Sequence, residues 1–550
     1  MLSEKKLYSS AITAVAGLAG LLLFLGIYGF SLLPPANVDW CLYKTGDTSQ
    51  HFLGGWAFLR DQWRWPLGIF YGLSDPDPAA VSIIDGIPLM AFAVKLIRGP
   101  QAAPFQYLGM WSALSFALQG IFAALLMKKL TSNSFVQLAG VFFLLLSVPF
   151  LNLGPQSAGL SSHFLILWGL CLMLSKWNFN TACQWIFLLI ISLMVHPYLA
   201  AMCGALYLGA TIQTVIKSLK SPNRTPLIRQ ITVNWLVCAV FCSATIYTLG
   251  LLHIGTEASV GIFGQSQVNL DCLLNPQSGN ISALVLPMPV PMEAELLYTG
   301  VGGCILLLFF MPSLFKLLKR NSSMWKYYGI PAVILILMLL FAFNCRIYIG
   351  KDLLLSFIWP PELKNIAGTF RAAGRFAWPI WYLLLALAVA RLAREKVLWI
   401  RMLTILAVVV LQIYDLGNGI IAHTWAKNMA RKEKKYVCPY AQFALQVEGR
   451  KKLCYSYKEK DFAPSVYFAM KNNMVVEDFY FPRNFYRSRQ SSEIVNLLQG
   501  KKFDKNGIYL LDEKEVKRTK ELYPELRPYI YPTREKSIMI IPAGESLSAP

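Results

Sequence analysis

The sequence predicts a mainly α fold: a polytopic membrane helix bundle carrying a small C-terminal α/β soluble domain. Three observations carry that prediction. Apolar runs of membrane-spanning length recur from Leu7 to about Ile421 and then stop. Lys and Arg gather in the short connectors between those runs. From Ala422 onward the composition turns charged and Tyr-rich, with short alternating runs typical of strands.

Composition sets the outer limits. The 550 residues are 55% hydrophobic and 15% charged, with a mean hydropathy of +0.47, which excludes an ordinary soluble protein. The formal net charge of +21 is a signature that nucleic-acid binders share. Here the basic residues sit between spans, with no basic stripe interleaved with aromatics outside the tail, and this argues against nucleic acid and for membrane lipid as the partner. The eleven cysteines lie mostly inside apolar segments as small hydrophobes, and no Cys-x-x-Cys or Cys/His cluster has zinc spacing. Cys438 and Cys454, both in the tail, leave a disulfide open.

Leu7–Leu33 is too long for a cleaved signal peptide and reads as an uncleaved first helix. Flanking charges then place Phe105–Met127, Phe135–Phe150, His163–Ser175, Thr181–Val195, Leu199–Ile216 and Ile231–Leu252. After these come Leu296–Leu314, Tyr328–Phe343, Phe376–Ala390 and Leu403–Ile421, about 11 spans in all. This threading puts the N-terminus in the cytoplasm and the C-terminal domain outside it, in the periplasm of a bacterial inner membrane. Twelve spans with the tail inside is the alternative. The stretch Ile83–Ile97 carries Asp85, Gly86 and Pro88 and reads as an interfacial or re-entrant segment. The expected division is a bundle over 1–421, whose outer loop 34–104 carries an acidic motif, and a soluble α/β domain over 422–550. No internal repeat of the kind many transporters show is visible.

Asp47 is the leading candidate for chemistry. It follows the first span in Gly46-Asp47-Thr48-Ser49-Gln50-His51-Phe52-Leu53-Gly54. Asp-x-x-Gln also reads as a capping box, with Asp47 as N-cap and Gln50 reaching back to its amide. The next turns place Phe52, Leu53, Trp56 and Leu59 on one face, as in a helix lying in the headgroup layer. A cap fixes where a carboxylate points, so capping and service as a general base are compatible. Gln50 and His51 are placed to assist Asp47 or to touch an acceptor.

Arg371 and Arg375 are four residues apart where an outer loop enters a span, so on a helix they share a face. Guanidinium forks match phosphate oxygens, and snorkelling to ordinary headgroups is the simpler alternative. His196-Pro197-Tyr198 interrupts an apolar hairpin at a membrane boundary, where an ionisable group is a functional candidate or just an interfacial hydrogen-bonder. Glu293 and Glu295 guard the entrance to a span as candidate binders of a sugar hydroxyl. Asp85 is either a second acid or an Asp-Gly turn, and Asp75-Pro76-Asp77-Pro78 reads as a rigid solvated loop.

The string around Asp47, together with Trp65-Pro66-Leu67-Gly68, Asp85-Gly86-Ile87-Pro88-Leu89, Phe105-Gln106-Tyr107 and Phe370-Arg371-Ala372-Ala373-Gly374-Arg375-Phe376, resembles a family of bacterial polytopic membrane proteins. That family is itself similar to the GT-C glycosyltransferases, which take sugars from polyprenyl-phosphate carriers. The resemblance implies a GT-C-like bundle and a membrane glycosyltransferase of the hexosyl- or pentosyltransferase class. It implies a lipid-linked sugar donor and a glycan, lipid or protein acceptor of the cell envelope. It also implies that Asp47 activates the acceptor or helps hold a metal. The chain lacks an Asp-x-Asp in its second outer loop, so a Mg2+ or Mn2+ requirement stays open. A glycolipid transporter or flippase, or an envelope-assembly protein without catalysis, is the alternative. The transporter reading expects charges deep within the spans, whereas here they sit at the outer ends.

Overall fold

The computed structural model describes residues 2–43, 46–73, 78–100, 103–219, 224–253, 266–291, 294–319, 323–360, 362, 367–368, 370–432, 435–455, 462–477, 479 and 493–542. The chain divides into two compact units. One comprises Met1–Ser31, Gly109–Thr245 and Ala258–Ala430, and the other Leu32–Leu108, Ile246–Glu257 and Arg431–Pro550.

The first unit is the helix bundle. Among the described residues nine helices are long and apolar enough to cross a membrane, from Ser10–Tyr28 to Leu398–Arg431. Two further apolar helices, Phe164–Met173 and Phe179–Val195, are shorter. They correspond to two of the eleven stretches expected from hydropathy. At about 1.5 Å per residue the 10-residue helix reaches only about half of a ~30 Å hydrocarbon core. The protein is a multi-pass membrane protein with a mainly α bundle. Ser10–Tyr28 and Leu108–Leu130 cross at small residues: a side chain added at Gly20 would strike the Phe116 carbonyl, and one added at Gly120 the Ala16 carbonyl.

The second unit joins the loop after the first span to the tail. The tail holds a five-stranded sheet ordered Val475–Val476, Lys452–Tyr455, Ile508–Leu511, Ser537–Ile540, Ile530–Tyr531. The first three strands run parallel and the last two pair antiparallel. Ile508–Leu511 is buried at every position, the pattern of a strand covered on both faces. Cys438 and Cys454 are free thiols, and Cys454 lies inside this sheet. The loop's helix Asp47–Arg60 packs on the tail helix Phe462–Lys471. Trp56 meets Tyr467 at 5.9 Å between ring centroids, and Arg60 donates to the Met470 carbonyl at 2.5 Å and to Asn473 Oδ1 at 2.8 Å. Leu73 adds to the sheet edge, its carbonyl accepting from Val476 N at 3.0 Å.

One expectation about the loop changes and one holds. The helix is buried at every residue from Thr48 to Leu59, because the loop and tail wrap all its faces. It does not show the one covered face that the Phe52, Leu53, Trp56, Leu59 pattern suggested. The Ile83–Ile97 stretch folds mostly into an 11-residue helix, Pro88–Arg98, that ends one residue beyond it and is too short to span, as expected of an interfacial or re-entrant segment.

Candidate functional site

The candidate residues fall into two groups, one in each unit. In the bundle, Ser266–Gln267 runs beside Ala372 on one side and Ala294 on the other as isolated parallel bridges. Glu295 N donates to the Gln267 carbonyl at 2.8 Å, and Gly374 N donates to the Ser266 carbonyl at 3.3 Å. Any β-carbon at Gly374 would come within 2.7 Å of the Glu295 side chain and 3.1 Å of the Gln267 backbone, so only glycine allows this approach. The clamp brings Glu295, Arg371 and Arg375 to the start of the span Ala373–Arg394.

His196 and Tyr198 join them. The Ala372 amide donates to Tyr198 Oη at 2.8 Å, and the Tyr198 ring sits 5.3 Å from Phe370 and 6.3 Å from Phe376. The half-buried Arg375 places its guanidinium over the Tyr198 ring at 5.1 Å, a cation–π contact. No ion pair takes up Arg375 among the described residues, although its charge reaches Glu295. Burial raises the Glu295 carboxyl above the ordinary range, against the pull of Arg375 and of the Trp378 indole, which donates to Oε1 at 3.0 Å. His196 is buried and caps the helix Pro197–Ser218, Nδ1 accepting from Tyr198 N at 3.2 Å. Arg371 is exposed. Glu293 lies outside the described residues, as do Asp75 and Asp77.

The second group lies in the loop and tail unit. Asp47 is exposed at the first residue of its helix. The N-cap is Gly46 at φ 139°, a backbone region that glycine favours, and Gln50 N bonds the Gly46 carbonyl at 3.1 Å. The expected capping box is therefore absent. The glycine takes the cap position, so the acid moves into the first helical turn, where exposed amides attract negative charge. Gln50 and His51 are buried, and among the described residues neither end of the Gln50 amide nor His51 Nδ1 has a hydrogen-bond partner. Asp85 is half-buried at φ 49° beside Gly86, whose carbonyl takes a short hydrogen bond from Tyr107 Oη. That is the Asp-Gly turn, seated against Gly54 through Ile84. Among the described residues no three His, Cys, Asp or Glu side chains gather around a common point.

Sequence reading missed Asp415. It is fully buried at the end of helix Leu398–Leu416, next to the π-helical turn Gly417–Ile421. One carboxylate oxygen accepts from Ser282 Oγ in a short bond and from the amides of Ala283 at 3.2 Å and Leu284 at 3.3 Å. The other accepts from Tyr298 Oη at 2.8 Å and Val301 N at 3.0 Å. Asp415 thus fixes both ends of the segment that carries Glu295. A lone acid inside the last apolar run was the available signal. His163 was also passed over. It is buried, with Nδ1 2.8 Å from Tyr382 Oη and its ring 4.2 Å from Trp378, behind Glu295.

A family model described as "Domain of unknown function (DUF6311)" matches residues 17–417. The chain belongs to this family. The match covers most of the bundle and the loop after the first span and stops short of the tail. No curated protein matches the chain. Among solved structures, the chain is similar to the Archaeoglobus fulgidus oligosaccharyltransferase in its apo form, with a TM-score of 0.40 and 11% identity over 92% of this chain and 68% of that one. It is also similar to the archaeal oligosaccharyltransferase AglB from Archaeoglobus fulgidus in complex with an inhibitory peptide and a dolichol-phosphate. There the TM-score is 0.32 and the identity 12%, over 94% of this chain and 68% of that one.

Proposed function

We propose that this protein is a membrane glycosyltransferase that moves a sugar from a polyprenyl-phosphate carrier to a cell-envelope acceptor at the extracytoplasmic face. The observation that carries the reading is Arg375, a half-buried cation braced on Tyr198 at the mouth of a span and held in no ion pair among the described residues. A guanidinium at headgroup depth suits the phosphate of a lipid-linked donor. The sequence resemblance to GT-C enzymes supplies the reaction class.

In this reading Arg375, with Arg371, holds the donor phosphate and stabilises the negative charge that grows on it as the sugar–oxygen bond breaks. Asp47 accepts the proton of the acceptor hydroxyl as that oxygen attacks the anomeric carbon. The bonding pair of the broken bond leaves with the carrier phosphate, and the configuration at the anomeric carbon inverts. Gln50 and His51 orient the acceptor, and Glu295 binds a sugar hydroxyl.

The test is mass spectrometry of membrane lipids and envelope glycans from matched cells expressing wild type or Asp47→Asn. The expected result is one missing glycan and an accumulating polyprenyl-linked sugar in the variant. Identical profiles, with both proteins folded in the membrane, would remove Asp47 from catalysis.

A further inference from the structure

The connector after the span Met324–Phe343 folds into a hairpin, Arg346–Ile349 paired antiparallel with Asp352–Ser356. It is firmly fastened. Leu270 N donates to the Tyr348 carbonyl at 2.9 Å, Gly350 N to Asp271 Oδ1 at 3.2 Å, and Asn269 Nδ2 to the Gly350 carbonyl at 3.3 Å. Yet Ile349, Leu353, Leu354, Leu355, Phe357 and Ile358 are all exposed, Ile358 to 96%. The strand bulges at Leu354; Leu353 pairs with Tyr348 and Leu355 with Ile347, and these consecutive partners lie on opposite faces, so both faces of the hairpin carry an exposed leucine. A hairpin bathed in water shows one polar face, and contiguous exposed apolar surface marks an interaction site.

We propose that this hairpin lies in the interfacial layer of the bilayer, with a lipid surface as its partner. Two observations select lipid. The hairpin begins three residues after a span whose own Val333, Ile336, Leu337 and Leu340 are exposed, so its apolar side chains extend a lipid-facing stripe. Arg346 at its base and Lys351 in its turn are exposed cations that complement anionic headgroups. Its depth follows from the backbone. Among the described residues the hairpin is two-stranded, so the Asp352–Ser356 strand keeps an unpaired edge there, which hydrocarbon does not tolerate and the hydrated headgroup layer does. The inference is independent of the glycosyltransferase reading.

The test places an environment-sensitive fluorescent amino acid at position 354 of the full chain, with position 514 in the exposed part of the tail as control. The protein is reconstituted in nanodiscs of phosphatidylethanolamine and phosphatidylglycerol. The expected result is blue-shifted emission at 354, quenched several-fold by acyl-chain doxyl lipids and little by iodide, with the control reversed. In the triple variant Leu353→Ser, Leu354→Ser, Leu355→Ser, a probe at 358 should lose most of its blue shift. Iodide quenching at 354 equal to that at 514 overturns the proposal. Shielding that appears only at high protein-to-lipid ratio, without doxyl quenching, also overturns it and makes a second copy of the chain the partner.

Discussion

In the bundle, Arg375 is gripped by its surroundings: an aromatic ring beneath it, two hydrogen-bonded extended segments beside it, and a glycine that lets them close. In the loop and tail unit, Asp47 stands exposed on a buried helix, with Gln50 and His51 behind it carrying unpaired polar atoms. The first arrangement is that of a group set in advance for one kind of ligand. The second leaves hydrogen-bonding capacity unused among the described residues, at a cost of about 1–3 kcal/mol for each buried unsatisfied group. In the proposed reaction this contrast corresponds to a fixed donor and a variable acceptor, which need different degrees of preorganisation.

The comparison can be broken most sharply at Asp47. Asp47→Asn should lower transfer by roughly 10²–10⁴-fold while leaving donor affinity unchanged, measured by turnover and by donor binding on the same reconstituted sample. Matching losses in both would assign Asp47 to binding. Next in size is Asp415→Ala, which removes an acceptor from Tyr298 Oη, Ser282 Oγ and Val301 N, while the Ala283 amide keeps the Asp415 carbonyl and the Leu284 amide keeps Ser282 Oγ. It should destabilise the bundle by about 3 kcal/mol or more, read as a lower thermal midpoint, and loosen the Glu295 segment in hydrogen exchange. An unchanged midpoint and exchange pattern would mean that the segment is held elsewhere.

Arg375→Ala should weaken donor binding by about 10–100-fold, the worth of one charge-assisted contact, with Arg375→Lys recovering only part. Equal affinity for the lysine variant would reduce the role of Arg375 to a point charge.

The smallest effect concerns Lys95, a buried cation whose ammonium donates to the carbonyls of Phe58 at 2.8 Å and Gln62 at 3.3 Å. Burial pushes it from 10.5 down to about 8, against the pull of Asp61. The unfolded chain therefore holds this proton more tightly than the folded one between those values. The contribution of Lys95 to stability is fully present above about 10.5, falls as pH drops, and levels off below about 8. Thermal midpoints of wild type and Lys95→Met should converge as pH rises through that window, and parallel curves would discount the shift.

Much of this was legible from residue order alone. Spans are long apolar runs, and the tail strands Ile508–Leu511 and Ser537–Ile540 fall where alternation and β-branched residues put them. The site was legible in part. His196, Tyr198, Glu295, Arg371 and Arg375 were singled out on local grounds, but nothing local says that Gly374 allows three distant segments to meet. The capping box failed for a local reason that pattern matching overlooked, namely that Gly46 competes for the cap. Asp415 was missed because a single acid in an apolar run carries no partner list.

The sequence by itself determined the class of molecule, because water and lipid sort side chains by composition and run length, and these are properties of a linear string. It also determined where the charges lie along the chain. Only the tertiary structure decided that the loop after the first span and the tail share one compact unit, that Asp415 holds the Glu295 segment at both ends, and that an apolar hairpin stays uncovered among the described residues. Each of these depends on contacts between residues tens to hundreds of positions apart, and such contacts are settled by close packing and by the need to pair every buried polar group.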